Sequence, residues 1–453
     1  MNTPRVMIAG TSSGSGKTTA VCAVLSLLKR RGIDVCAYKC GPDYLDPTFH
    51  ETVTGVPCTN LDPFFCDADL LDHLLYDNAA ERLAVIEGVM GYYDGTGQTG
   101  TDNSSYTAAA LTKTPVILVV NAKGASASLL AVIEGFLRFV PDSMIVGVMF
   151  SRISAANYQN IKQKTADRFG GRVACVGYIP ELGKNCIIPS RHLGLVSAGE
   201  IEDISKKLGM IADICEKTVD LDLLLKIAKT ADALSFKEPL IPKHENVSIA
   251  VAKDRAFFFY YRDTLSLFEK MGASIRYFSP LDDEPIPDGC CGLYIGGGYP
   301  ELYADRLGSN LTSKRSISDA VRSGMPTIAE CGGFQYLGKM LCGREMCGVL
   351  PHDSFETEKL VRFGYVTLTS NRDGLFGPKG TVLRGHEFHY YDSTDNGCDF
   401  TAEKPSGKKW DCAVTNETLY AGYPHLYLYS SIPAADAFYK KCIEYQERKN
   451  DNQ

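Results

Sequence analysis

The segment Gly10-Thr11-Ser12-Ser13-Gly14-Ser15-Gly16-Lys17-Thr18-Thr19 carries the first chemistry in the chain. It follows the apolar stretch VMIAG (6–10) and leads into a helical pattern that runs from about Gly16 to Arg31. A glycine-rich turn between a strand and a helix aims successive backbone N–H groups at phosphate oxygens. Lys17 adds a mobile positive charge, and the Thr18 hydroxyl can ligate Mg²⁺. The ligand implied is a nucleoside triphosphate, with Thr11, Gly14, Gly16, Lys17, Thr18 and Thr19 as the residues that bind it. The strict phosphate loop is G-x-x-x-x-G-K-[ST]; here Thr11 stands at the first glycine position and Gly10 one residue early. No G-x-G-x-x-G is spelled, which argues against a dinucleotide site.

Acidic residues gather near the same place. Asp43, Tyr44 and Asp46 lie in the turn-rich KCGPDYLDP, directly after the strand-like VCAYK (35–39); Glu87 ends the run LAVIEG, and Asp94 follows on GVMGYYDG. Carboxylates at strand ends beside a phosphate cradle are natural Mg²⁺ ligands, because that ion takes oxygen donors and bridges phosphates to protein. Thr18, Asp46 and Glu87 are therefore the candidate metal ligands. Asp43, Tyr44 and Asp94 are candidates for substrate contact or metal support. Asp62 in TNLDPFF reads equally as a ligand or as a turn residue, the usual fate of aspartate in loops.

A second kind of chemistry sits far downstream. Cys331 stands where the apolar run TIAE turns at Cys-Gly-Gly and enters the helical FQYLGKML. A strand-to-helix turn exposes a nucleophile, and the nearby helix start is expected to lower its thiol pKa. Such a thiol needs an imidazole; the C-terminal half offers His352, His386, His389 and His425, of which His425 in AGYPHLYLYS ranks first. GLYIGGGYPEL (292–302) runs from a strand into glycines, so Gly297 and Gly298 are candidates for presenting N–H groups to an oxyanion. A thiol, an imidazole and an oxyanion site in one region describe acyl transfer. Beside a nucleotide site they point to a glutaminase coupled to a ligase.

The elements needed to position these groups are legible as well. VMIAG, VCAYK, LAVIEG, PVILVV (115–120) and MIVGVMF (144–150) are continuous apolar runs separated by helical patterns, with RVACVGYIP (172–180) as one more strand. Continuous rather than alternating runs indicate a parallel sheet covered on both faces, an α/β architecture. Residues about 199–238 read as helical, and FKEPLIPKHEN (236–246) reads as a linker. VSIAVAKD, SIRYF, GLYIGGG and TIAECGG then begin a second α/β series, which turns more β-like and aromatic after about residue 355.

At 453 residues two domains are expected. A net charge of −7 gives no electrostatic reason for a nucleic-acid or anionic-membrane partner. No apolar run of about 18 residues reads as a membrane span, and the chain reads as cytoplasmic. The sixteen cysteines make no C-x-x-C pair, and the adjacent Cys290 and Cys291 read as buried thiols.

Taken in order, GTSSGSGKTT, KCGPDYLDPTFH, IEGVMGYYDG, GGGYPELYAD, AECGGFQYLG and GHEFHYYDS (385–393) make the chain resemble the cobalamin-pathway amidotransferases over nearly its whole length. The phosphate loop is similar to the G-T-x-x-x-x-G-K-T form of dethiobiotin-synthetase-like ATPases. The resemblance implies such an ATPase over residues 1–238, a linker at 239–246 and a class I glutamine amidotransferase over 247–453. It implies Cys331 as nucleophile, His425 as the group that raises its nucleophilicity, and ATP and Mg²⁺ as cofactors. The reaction implied is stepwise amidation of the a and c acetate side chains of cobyrinic acid or a related tetrapyrrole, with nitrogen from glutamine. Most class I glutaminases carry a glutamate two positions after the histidine, whereas this chain has Tyr427. That leaves the third orienting group open. A homodimer is compatible with this reading.

Neighbouring readings are amidation of hydrogenobyrinate or nickel-sirohydrochlorin, or of the other side chains acted on by cobyric acid synthase; GPDYLDP and GGGYPE favour the a,c branch. A P-loop regulatory ATPase with a non-catalytic amidotransferase-like module is the alternative from a different class.

Overall fold

The computed structural model describes residues 2–43, 45–97, 100–183, 186 and 198–451. The chain divides into two compact units, Met1–Pro239 and Leu240–Gln453.

The first unit is built on seven strands: β1 (Arg5–Gly10), β2 (Val35–Cys40), β3 (Cys58–Leu61), β4 (Leu83–Glu87), β5 (Val116–Asn121), β6 (Ile145–Ser151) and β7 (Ala174–Ile179). They form one sheet in the order β3-β2-β4-β1-β5-β6-β7, and every neighbouring pair is parallel. Parallel neighbours need long crossovers, which the intervening helices supply. Helix α1 (Lys17–Arg30) follows β1 and lays its apolar face on the sheet. Val21, Val24 and Leu28 pack there against Val6, Ile8, Val85 and Val119, each buried side chain stabilising the unit by roughly 1.5–3 kcal/mol before entropy is counted. The parallel register sets Glu87 beside Ile8 on one side and beside Lys39 on the other. The carboxyl ends of β1, β2 and β4 therefore share one edge.

Two elements here depart from the sequence expectation. The strand β3 lies between segments that read as turn, and α2 (Leu45–Thr54) occupies part of KCGPDYLDPTFH. Pro47 disguises the helix, yet it sits in the first turn, where a missing N–H leaves no bond unmade. Asp46 is thus a first-turn helix residue rather than a loop residue.

The second unit has a six-stranded sheet in the order Ser274–Phe278, Ser248–Ala252, Cys290–Ile295, Thr327–Glu330, Leu419–Gly422, Val414–Thr415. Its first five strands are parallel and the last is antiparallel. The aromatic region after residue 355 forms a separate antiparallel sheet of five strands, Lys409–Cys412, Phe400–Glu403, Arg362–Ser370, Val382–His389 and His425–Leu426. Leu293, Ile295 and Ala329 from the parallel sheet, with Phe334 and Leu337 from the helix after Cys331, hold its core.

Candidate functional site

At the first site, Gly16 caps α1 in the left-handed region at φ 101°, a conformation that glycine adopts without a Cβ clash. A Cβ on Gly10 would lie 2.1 Å from Ser15 Oγ and 2.8 Å from Lys17 Cγ. Gly10 therefore does the packing that the shifted phosphate loop requires. The first turn of α1 has no acidic residue, so its positive end is left for an anion. The Lys17 ammonium donates to the carbonyls of Ser12 at 3.0 Å and Met90 at 2.5 Å, which folds it across the loop. Burial, and next the nearby Lys39, push its pKa down to about 8. Ser151, at the end of β6, donates to the Ser15 carbonyl at 2.7 Å and fixes the loop from a third strand.

Glu87 is the hub behind the loop. Its Oε1 accepts from Thr18 Oγ1 at 2.7 Å and from Lys39 Nζ at 3.1 Å, and its Oε2 is 2.5 Å from His50 Nε2. Lys39 reaches Asp46 Oδ2 as well, at 2.7 Å. Against the cost of burial, Lys39 and then His50 hold the Glu87 carboxyl well below its usual range. His50 is fully buried, yet Cys22 and Glu87 outweigh desolvation and raise its pKa to about 10. Lys39 is likewise raised by Glu87 and Asp46 despite burial.

The remaining acidic candidates have local duties. Asp43 Oδ1 accepts the Asp46 backbone N–H at 3.0 Å, Asp94 Oδ2 accepts that of Gly91 at 2.8 Å, and Asp62 Oδ1 accepts that of Phe64 at 2.8 Å. The contact of Asp62 belongs to the turn reading. Tyr44 lies outside the described residues. Among the described residues no cluster of three or more His, Cys, Asp or Glu side chains is arranged to hold a metal ion. Thr18, Asp46 and Glu87 nevertheless supply oxygen donors only, which suits a hard cation that takes its other ligands from phosphate and water.

At the second site, Cys331 directly follows the strand Thr327–Glu330 and stands at φ 49° and ψ −102°, a strained corner for a residue with a Cβ. Its N–H donates to the Gly422 carbonyl at 2.8 Å. The two glycines after it are required by close approach: a Cβ on Gly333 would lie 2.1 Å from the Ile295 carbonyl, and one on Gly332 2.9 Å from Pro300 Cδ. Gly297 and Gly298 pack on the same corner. A Cβ on Gly297 would come within 2.2 Å of His425 Cε1, while a Cβ on Gly332 would be 3.2 Å from Gly298 N. The structure thus gathers Cys331, His425, Gly297 and Gly298.

The thiol differs from the sequence expectation. The helix that follows is only Gly332–Leu337, and burial, with Glu301, Glu387 and Glu330 nearby, drives the Cys331 pKa up rather than down. Burial takes His425 in the opposite sense, down to about 3. Both groups are neutral near pH 7, so the pair is a thiol with a base rather than a preformed ion pair. His386 lies directly across the strand pairing from His425, and His389 stacks on Tyr423 with centroids 4.0 Å apart. Burial depresses the pKa of both histidines.

Residues that the sequence reading left without a role are Lys39, His50 and Ser151 at the first site and Tyr294, Glu301, Glu330 and Glu387 at the second. The signal for Glu330 was available: TIAE places a carboxylate at the end of an apolar strand, as LAVIE does for Glu87.

Two family models match along the chain. One, described as a CobQ/CobB/MinD/ParA nucleotide binding domain, covers residues 6–196; the other, a CobB/CobQ-like glutamine amidotransferase domain, covers residues 248–432. The fold and the two sites thus define a two-unit, nucleotide-binding glutamine amidotransferase, an enzyme of the carbon–nitrogen ligase class. The cobyrinate a,c-diamide synthase of Listeria monocytogenes is 39% identical over 443 residues, 94% of this chain and 97% of that one. Those of Caldanaerobacter subterraneus, 36% identical over 97% of this chain and 98% of that one, and Thermoplasma volcanium, 36% identical over 99% of each, are similar at comparable length. The chain belongs to the cobyrinate a,c-diamide synthase family. No helix among the described residues is long and apolar enough to cross a membrane.

Proposed function

We propose that this enzyme converts the a and c side-chain carboxylates of cobyrinic acid to amides, using ATP and glutamine, in cobalamin biosynthesis. The observation that carries the reading is that the likeness to the Thermoplasma volcanium relative spans 99% of the chain and so includes both sites. Residues 1–238 would form the synthetase unit, 239–246 a linker and 247–453 the glutaminase.

A carboxylate is a poor electrophile, so one of its oxygens attacks the γ-phosphorus of ATP, ADP leaves, and an acyl phosphate forms. Lys17 and the N–H groups of the loop hold the charge that spreads over the phosphoryl oxygens. Thr18, Asp46 and Glu87 would hold Mg²⁺, which neutralises phosphate charge when bound. Asp43, Tyr44 and Asp94 are the residues we assign to substrate contact. Ammonia then attacks the acyl carbon and phosphate departs.

In the glutaminase unit the Cys331 thiol gives its proton to His425 while Sγ attacks the glutamine carboxamide carbon. The N–H groups of Gly297 and Gly298 receive the oxyanion. The proton passes to the departing nitrogen, ammonia is released, and water hydrolyses the thioester to glutamate.

The test supplies the purified enzyme with Mg-ATP, glutamine and cobyrinic acid and follows glutamate, phosphate and corrinoid mass. A diamide formed with both co-substrates is the expected product. Glutamine hydrolysis without any amide on cobyrinic acid would remove the substrate assignment.

A further inference from the structure

We propose that Glu330, the residue immediately before the nucleophile, is the acidic positioning residue of His425, filling the place left by Tyr427. The inference rests on the reading of Cys331 and His425 as a glutaminase pair.

Position 427 is unable to serve. The Tyr427 hydroxyl donates to Asp263 at 2.9 Å, so its side chain is committed to another contact. Glu330, in contrast, lies with Oε2 3.8 Å from His425 Nδ1, and both side chains are buried. Two donors aim the carboxylate: Tyr294 hydroxyl to Oε2 at 3.0 Å and the Leu426 backbone N–H to Oε1 at 3.0 Å. The second of these ties the carboxylate to the residue next to His425 itself. Strand pairing places Glu330 beside Gly422, which leads within three residues to the histidine.

The chemistry requires such a partner. When the Cys331 proton moves to Nε2, a positive charge appears on a buried imidazole. Gly297 is backbone, Phe259 is apolar with its ring 6.1 Å away, and His386 and His389 lower the imidazole pKa further. A carboxylate at Nδ1 selects the tautomer that leaves Nε2 free to accept, and it offsets the charge that follows. The present 3.8 Å is an ion-pair rather than a hydrogen-bond distance, and such contacts tighten when substrate is bound. Burial raises Glu330 to about 8, against which the Leu426 and Tyr294 donors favour the ionised form. The orienting carboxylate therefore grows as pH rises through about 8.

The experiment compares wild type, Glu330→Gln and Cys331→Ala, with either glutamine or ammonium as nitrogen donor, across pH. Glu330→Gln is expected to lose roughly 10²-fold or more in glutamine-dependent kcat with little change in KM. It should keep ammonium-dependent synthesis and lose the ascending limb near pH 8. Wild-type glutamine kcat and an unchanged limb in Glu330→Gln, with Cys331→Ala inactive on glutamine, would overturn the inference and leave the glutaminase pair intact. Glutamine turnover by Cys331→Ala would instead overturn the underlying pair. If Glu330→Gln does not fold, Tyr294→Phe decides: removing that donor should move the same limb to higher pH, and an unmoved limb overturns the inference.

Discussion

The hydroxyl of Thr18 donates to Glu87 at 2.7 Å, joining the first turn of α1 to the end of β4 across 69 residues of sequence. Glu87 in turn holds Lys39 and His50. Glu87→Gln should therefore do more than remove a candidate metal ligand, because it leaves two buried cations facing a neutral amide. We expect a stability loss of about 3–5 kcal/mol and loss of ATP turnover, read from denaturant midpoints and phosphate release.

The same cluster sets a pH signature. His50 is raised from 6.5 to about 10 in the folded protein. Its contribution to stability is fully present below the unfolded value and is lost as pH rises through the folded one. Wild type should thus lose stability between about pH 6.5 and 10, and His50→Gln should flatten that part of the curve. Urea midpoints at a series of pH values measure it, and identical curves would count against a cationic His50.

Lys17 titrates near 8 in the ligand-free site. Phosphate oxygens favour its charged form, so ATP affinity should fall as pH rises above that value. Calorimetric titration of Lys17→Arg should show a flatter dependence, and Lys17→Met should bind weakly throughout while retaining glutamine hydrolysis.

Cys331 is held as a thiol, first by burial and next by Glu301, with Glu387 also contributing. Glu301→Gln should therefore speed alkylation of Cys331 by iodoacetamide at a fixed mildly alkaline pH, and Glu387→Gln should do so to a smaller degree. A rate slower than wild type in either variant would contradict the electrostatic account. The check is mass spectrometry of the modified peptide over time.

Gly297→Ala places a methyl group where His425 Cε1 stands, 2.2 Å from the new carbon. The imidazole must move. We expect the variant to fold, to lose most glutamine-dependent synthesis and to keep synthesis from ammonium, as measured by amide formation with each donor.

What the sequence disclosed follows from how local each signal is. The phosphate loop and the Cys331 corner are contiguous strand-turn-helix segments, so spacing alone reveals them. The parallel sheets were legible because their central strands, such as Arg5–Gly10, Val116–Asn121 and Cys290–Ile295, are largely apolar runs. The short strand Cys58–Leu61 lacks such a run, and α2 hides behind Pro42 and Pro47. The environment of Cys331 was not legible at all: burial, joined by Glu301 from the turn Pro300–Tyr303, Glu387 from the strand Val382–His389 and Glu330 from the end of Thr327–Glu330, reversed the expected thiol shift. Desolvation is a property of the packed site, which no window of residues carries.

His425 opens the two-residue strand His425–Leu426, the outer strand of the antiparallel sheet, and stands three residues beyond the parallel strand Leu419–Gly422. One short segment stitches the two sheets together with the imidazole at the seam. Hydrogen exchange should find residues 419–426 opening as part of both sheets rather than as an independent tail. An engineer who trims the aromatic region to shrink the enzyme would unravel the seam, and the glutaminase would lose its base although every residue of the parallel sheet remained.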